Sequence, residues 1–446
     1  MTSFEDATTD TASASAGSVF IETWGCQMND LDSQRLSGQL KLRGWKRVHD
    51  EAEADLLLLN TCTIREKAEQ KVYNRLCVIR RVKRDRGSRI GVCGCVAQQE
   101  GEAILARMPW VDFVMGPGSV GYLDAVLDGN LRVAIGFPED RRYDHLSVDR
   151  SSAVKAQITV IEGCNKNCTF CIVPTTRGRE VSRRFDDILK EARHAVQTGR
   201  TEIELLGQTV NAYRCPESGA GFSDLLSSVA EIDGMNRLRF VTSHPAEVDR
   251  KMIRAIRDHD NISRYLHLPA QSGSSNVLRR MKRLYTRERY LEIIADIRRQ
   301  VPGIQFSGDF IVGFPGESDE DFEQTLSLME EIRYGSVFAF RYSPRPGTSA
   351  LRLGEPVSEE IAMDRLHRLL ALQELIERDT LESFVGKTVK VLFEGRSRKD
   401  ETVMSGRTDD NWTVNFTGIE KAPSGSLLDV RITSAQHHSL RGEAVG

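Results

Sequence analysis

The chain has 446 residues, 40% of them hydrophobic and 28% charged, with a formal net charge of −3. That length accommodates two or three domains, and the composition is that of a soluble globular protein. No apolar run approaches the roughly 20 residues of a membrane span, and the overall charge gives no sign of a nucleic-acid partner, so any such contact must come from local clusters. Residues 1–17 are rich in Ser, Thr and Ala, with three acidic and no basic residues. That composition fits neither a secretory signal nor a transit peptide and predicts a disordered tail. Nine cysteines without a secretory signal point to a reducing cytoplasm and to metal or redox use rather than a disulfide framework.

Residues 18–130 alternate between strand-like and helix-like runs. Strands are predicted over 19–24, 54–60, 89–93 and 111–115, and helices after Cys26, over 65–86 and over 98–107. The leucine run at 56–59 reads as a strand buried on both faces. The alternation predicts a doubly wound parallel sheet. Cys26, Cys62 and Cys95 each fall just past the C-terminal end of a different strand. In a parallel sheet those ends share one edge, where ligands bind, so three thiolates distant in sequence are expected to converge and hold an iron–sulfur cluster. Cys93 inside its strand, Cys77 on a packed helix face and Cys215 in a loop are read as non-ligands. The helix after Cys62 carries Arg65, Lys67, Lys71, Arg75, Arg80, Arg81, Lys83, Arg84 and Arg86. This is either a solvated face or a footprint for a phosphate backbone.

A charged linker at 139–144 precedes the central domain, 150–380. Strands are predicted over 156–161, 203–206, 238–242, 265–268, 305–312 and 337–342, with helices over 185–198, 247–258, 287–300 and 319–331. Six βα units are too few for a closed eight-stranded barrel, yet chemistry still belongs at the C-terminal strand ends. The first strand runs into Cys164-Asn-Lys-Asn-Cys168-Thr-Phe170-Cys171. Soft thiolates select zinc, copper(I) or iron–sulfur clusters, and three ligands rather than four leave one metal position open. The C-x3-C-x2-C spacing, with Phe170 before the last cysteine, resembles the radical S-adenosylmethionine (SAM) superfamily. The resemblance implies an open (β/α)6 partial TIM barrel, a [4Fe-4S] cluster on Cys164, Cys168 and Cys171, and SAM bound at the vacant iron. Gln208, Ser243, Gln271 and Asp309, in polar segments expected at strand ends, are the candidate SAM-pocket residues. His244 and His267 are read as hydrogen-bonded structural histidines. Arg177, Arg179, Arg183 and Arg184 either contact nucleic-acid phosphates or cover the surface.

A long polar helix leads into 381–446, where short alternating strands and glycine turns predict a small β-barrel. This region resembles the TRAM module, an RNA-binding barrel. Arg396, Arg398, Lys399, Arg407 and Lys421 with Trp412 and Phe416 could hold and stack RNA; alternatively, both rings are barrel core. The phrases at 23–33 (Thr-Trp-Gly-Cys-Gln-Met-Asn-Asp-Leu-Asp-Ser), at 60–68 (Asn-Thr-Cys-Thr-Ile-Arg-Glu-Lys-Ala) and at 94–98 (Gly-Cys-Val-Ala-Gln) resemble the N-terminal domain of the methylthiotransferases. The wording after Cys26 favours the tRNA-modifying, MiaB-type branch, with Trp24 where Tyr or Phe is common. The resemblance implies methylthiolation at C2 of N6-isopentenyladenosine at tRNA position 37. It also implies two [4Fe-4S] clusters, two SAM per turnover, an electron donor and contact with the anticodon loop. The alternatives are methylthiolation of threonylcarbamoyladenosine or of a ribosomal protein, and, in another class, a non-catalytic iron–sulfur RNA-binding or electron-transfer protein. A cytoplasmic monomer is expected.

Overall fold

The computed structural model of the protein describes residues 16–63, 67–137, 147–397, 400–419 and 421–445. The expectations for the tail up to residue 15, Arg65, the Lys67 side chain, the linker at 139–144, Arg398 and Lys399 lie outside the described residues. The chain divides into two units, Met1–Asp149 and Arg150–Gly446.

The first unit is built on a six-stranded sheet of β1 (Gly17–Trp24), β2 (Trp45–Arg47), β3 (Leu56–Thr61), β4 (Arg89–Gly94), β5 (Phe113–Met115) and β6 (Val133–Ala134). All pairings are parallel and the order is β2-β1-β3-β4-β5-β6. The central strand β3 shows why four consecutive leucines suit this position. Leu57 and Leu59 pack with Val72, Tyr73, Leu76 and Ile79 of helix Lys67–Arg86 on one face. Leu56 and Leu58 pack with Leu36 and Leu40 of helix Gln27–Leu42 on the other. Successive strand residues point to opposite faces, so a strand covered twice must be apolar at every position. The short strands β2 and β6 carry too few residues to show a pattern. The helix expected over 98–107 is two, Cys95–Glu100 and Glu102–Arg107, broken where Gly101 adopts a φ of +51°.

The second unit contains two parallel three-stranded sheets. One is β7 (Lys155–Thr159), β10 (Glu202–Leu206) and β11 (Arg237–Phe240); the other is β12 (Tyr265–His267), β13 (Gln305–Val312) and β14 (Ser336–Arg341). A Leu238–Ile262 bridge joins them, so the six strands follow sequence order. Among the described residues β7 and β14 do not pair, which leaves the partial barrel open. The strand expected over 156–161 stops at Thr159. Ile161–Glu162 (β8) instead forms an antiparallel ribbon with Val181–Ser182 (β9), and the thiol-rich loop lies between them.

Helix Glu359–Glu382 leads to a closed five-stranded barrel. Its strands are β15 (Thr388–Arg396), β16 (Met404–Thr408), β17 (Thr413–Thr417), β18 (Leu427–Gln436) and β19 (Ser439–Ala444). Trp412 and Phe416 are buried in its core with Val391, Phe393 and Ile432, so neither ring is available to stack on a base. The barrel is seated on the strands before it. Arg237 donates to the Arg407 carbonyl and Arg239 to the Thr408 carbonyl, both at 3.0 Å. Thr201 and Asn236 donate to the Gly425 carbonyl at 2.9 and 2.7 Å.

Candidate functional site

In the first unit the sheet order reverses between β1 and β3, the switch point at which open α/β sheets bind ligands. Cys26 follows β1, Cys62 follows β3 and Cys95 follows the neighbouring β4. The Cys62 thiol is within hydrogen-bonding reach of both Cys26 and Cys95. Two asparagines tie these turns together. Asn29 receives the Cys26 amide (3.3 Å) and donates to the Thr61 carbonyl (3.2 Å). Asn60 donates to the Asn29 carbonyl and to Ser33 Oγ, both at 2.8 Å. Gly25 is required by the close approach, because a Cβ there would stand 2.2 Å from Asn29 Oδ1 and 2.9 Å from Cys62 Cβ. Hydrogen bonding to Cys26 and Cys95, then burial, push the Cys62 thiol well above its ordinary range. Crowded sulfurs of this kind resist ionisation until a cation arrives, whereupon a coordinating thiol is deprotonated outright. The donor set therefore fits an iron–sulfur cluster. Cys93 is buried within β4, where burial pushes its thiol up to about 12. Cys77, expected on a packed face, is exposed, because Val72, Tyr73, Leu76 and Ile79 take the buried face of its helix.

In the second unit the loop carrying Cys164, Cys168 and Cys171 is fastened from several directions. The Cys164 amide donates to the Gly178 carbonyl (3.0 Å) and the Cys171 amide to the Cys168 carbonyl (3.1 Å). Gly163 has a φ of +77°, and a Cβ there would lie 2.1 Å from the Arg179 carbonyl oxygen. Thr169 donates from its amide to Met281 (3.1 Å) and from its hydroxyl to Arg280 (3.0 Å). Phe170 packs edge-on to Phe314 at 6.4 Å, and Lys166 pairs with Glu247. Desolvation of the sulfur, followed by its two neighbouring thiols, pushes Cys171 up to about 12. Among the described residues no three His, Cys, Asp or Glu side chains are arranged to hold a single ion. A cluster makes a different demand, since each of its thiolates binds a separate iron.

The four expected pocket residues fall on adjoining strands but do different things. Gln208 accepts the Gly163 amide at 2.6 Å and so supports the cysteine loop. Ser243 is buried and its hydroxyl has no protein partner among the described residues. Gln271 is buried with a φ of +72°, and its backbone pairs with Asp309 and Ile311. Asp309 lies within β13 rather than past its end. It meets His267 Nε2 at 3.2 Å, while His267 Nδ1 accepts the Thr242 amide at 3.3 Å. Thr159 Oγ1, His244 Nε2 and Ser307 Oγ are likewise buried without partners. Each such group costs about 1–3 kcal/mol when left unpaired, so these hydroxyls and the imidazole can hydrogen-bond a polar ligand or water.

The basic residues divide once their partners are known. Arg75 pairs with Glu22 and Glu51, Lys83 with Asp112 and Arg86 with Asp55. Arg81 and Arg84 share Asp85 of their own helix and Arg80 lies over the Trp110 ring, so acids from other elements neutralise three of these charges and the rest of the basic face stays compatible with either reading. Arg177 and Arg183 are buried, Arg183 bonding Glu191 and the Thr159 carbonyl. Arg179 and Arg184 are exposed. Sequence reading passed over Asn29, Asn60 and Gly163, which sat inside its own motifs, and Arg283. The buried Arg283 guanidinium stands 3.5 Å from Cys168 Sγ, and only the left-handed φ values of Lys282 (55°) and Leu284 (63°) on either side mark it.

Three family models match the chain: uncharacterized protein family UPF0004 over residues 18–116, the radical SAM superfamily over 158–329 and the TRAM domain over 382–445. A tRNA-2-methylthio-N(6)-dimethylallyladenosine synthase of Alkalilimnicola ehrlichii is 45% identical over 96% of this chain and 98% of its own length. The protein of the same name from Geobacter metallireducens is 44% identical over 95% and 98%. Among solved structures, the radical SAM methyltransferase TsrM of Kitasatospora setae aligns with a TM-score of 0.56 at 16% identity, over 75% of this chain and 73% of its own. The cobalamin-dependent radical enzyme OxsB gives 0.54 at 13% identity, over 81% and 56%. At such identities these structures speak to the fold alone.

Proposed function

From the chain's membership of the tRNA-2-methylthio-N(6)-dimethylallyladenosine synthase family, we infer that its open barrel performs radical SAM methylthiolation of tRNA. The protein is an enzyme that converts N6-dimethylallyladenosine (N6-isopentenyladenosine) to its 2-methylthio form, using a [4Fe-4S] cluster and SAM. The observation that carries this reading is identity above 40% along nearly the full length of the relatives. The finer assignments are proposals. Cys164, Cys168 and Cys171 hold the SAM cluster; Cys26, Cys62 and Cys95 hold an auxiliary cluster that handles the incoming sulfur. A [4Fe-4S] cluster held there would supply the electron for reductive cleavage of SAM, and the resulting radical chemistry would remove hydrogen from C2 of the base at position 37. Ser243, Gln271 and Asp309 orient SAM, while Gln208 acts through the cysteine loop. Two SAM are used per turnover, one for the radical and one for the methyl group. The TRAM barrel holds the anticodon arm, a separate protein donates electrons, and the enzyme works as a cytoplasmic monomer.

Nucleoside mass spectrometry of tRNA from a strain lacking this protein tests the substrate. Loss of 2-methylthio-N6-dimethylallyladenosine supports the reading; loss of the methylthio derivative of threonylcarbamoyladenosine instead overturns it. Anaerobically reconstituted protein should carry about eight irons, four per cluster. A Cys26/Cys62/Cys95 triple-alanine variant should still form 5′-deoxyadenosine but insert no sulfur. Methylthiolation by that variant would remove the auxiliary-cluster assignment.

A further inference from the structure

Arg283 is a buried guanidinium with no carboxylate partner among the described residues. Its three nitrogens are each spoken for. Nε donates to Tyr285 Oη at 3.1 Å, Nη2 to the Pro269 carbonyl at 3.0 Å and Nη1 to Cys168 Sγ at 3.5 Å. Tyr285 is itself held, donating to the Ala270 carbonyl at 2.9 Å. It stays a neutral phenol, because burial raises its pKa. The backbone turns left-handed immediately before and after Arg283, at Lys282 and Leu284. Side-chain-bearing residues adopt that conformation rarely, and strain of this kind clusters where geometry must be held for function. The same segment supplies the Arg280 and Met281 carbonyls that fasten Thr169, the residue after Cys168.

A buried cation without a counter-ion is strongly disfavoured, and with Tyr285 held as a neutral phenol the group of potential negative charge that Arg283 touches among the described residues is a sulfur of the C-x3-C-x2-C loop. We propose that Arg283 is a positioning residue that serves as the fixed counter-charge of the radical-generating cluster, favouring its one-electron reduced form. The inference rests on Cys164, Cys168 and Cys171 being the ligands of that cluster. A [4Fe-4S] core held by three thiolates gains one negative charge when a low-potential one-electron reductant loads it. A nearby positive charge in a low-dielectric setting stabilises that added charge. No bond forms or breaks at Arg283, and no proton moves there.

The test is a potentiometric titration of the full-length, anaerobically reconstituted protein, following the EPR signal that responds to added SAM. Iron and sulfide are measured on the same samples. Arg283→Gln should lower the reduced-to-oxidised ratio at fixed ambient potential at least tenfold, which is about 59 mV for one electron. Arg283→Lys should recover most of that loss. Tyr285→Phe, which removes the acceptor of Nε, should fall between. A Gln variant with full iron and an unchanged potential overturns the proposal. Loss of the cluster in the Gln variant with retention in the Lys variant upholds the need for charge at this position. If both variants lose the cluster, Tyr285→Phe decides: a lowered potential upholds the proposal and an unchanged one overturns it. A SAM-responsive signal surviving in a Cys164/Cys168/Cys171 triple-alanine variant would show that the ligand assignment itself had failed, a result distinct from an unshifted potential.

Discussion

His244 is a buried imidazole that the fold keeps neutral. Nδ1 accepts the Ala246 amide at 3.2 Å, so the proton sits on Nε2. Burial first, then the positive charges of Arg283 and Lys166, lower its pKa to about 3; the Tyr285 ring packed against it at 5.9 Å carries no charge. The ring therefore cannot act as a readily protonated base, and it offers a bound cofactor a neutral N–H. Between pH of about 3 and about 6.5 the unfolded chain binds a proton that the folded chain does not. Stability therefore falls as the pH drops through that window. At pH 5 the loss from this one group is about 2 kcal/mol. In urea titrations at pH 7 and pH 5, the second unit of the wild type should lose about that much more than His244→Gln. Equal losses would mean that the imidazole takes up its proton without unfolding.

At the scale of elements, each cysteine loop is a strand end whose shape depends on one close approach. Gly163 is the clearest case. Its φ of +77° and the Arg179 carbonyl, 2.1 Å from where a Cβ would sit, leave room for no side chain. Gly163→Ala should displace the Cys164 end of the loop and loosen the Gly163 amide from Gln208. Reconstituted iron should then fall by about four per chain, one cluster, while circular dichroism stays that of the wild type. Full iron in this variant would mean that the loop tolerates the shift. These loops also mark what the sequence made legible. The convergence of Cys26, Cys62 and Cys95 could be read because β3 announces itself by four leucines and each thiol follows an apolar run. The groups that fasten the loops could not. Arg283 lies 115 residues from Cys168 and reads as one arginine in a basic stretch. Gln208 is expected in the pocket from its polar segment at a strand end, and only the fold shows its amide oxygen on the Gly163 backbone. Trp412 and Phe416 were ambiguous because a strand suits an aromatic ring whether it faces the core or a base.

At the scale of the second unit, the TRAM barrel is an attached part with a definite seat. The seat is made of buried arginines, where a flexible tether would have needed none. Arg239 donates to the Thr408 carbonyl at 3.0 Å and to Glu202 at 3.3 Å. Arg237 reaches Arg407, and Asp409 accepts the Arg264 amide at 3.0 Å. Gly425 comes so close that a Cβ would stand 2.5 Å from Thr201 Oγ1. Breaking a buried pair from one side costs about 3–5 kcal/mol, because the remaining charge stays desolvated. Arg239→Ala takes from Glu202 the nearer of its two cations and leaves it Arg237 at 3.8 Å, so the cost should be a part of that range. The barrel of this variant should part from its seat more readily, and limited proteolysis should cut near residues 383–387 sooner than in the wild type. SAM cleavage without tRNA depends on the cysteine loop, which Arg239 does not touch, so its rate should be unchanged. The KM for tRNA should rise, because the barrel would no longer present its bound RNA at a fixed angle to the open mouth of the strands. If proteolysis quickens and the tRNA KM does not move, the seat serves stability alone and substrate geometry is set elsewhere.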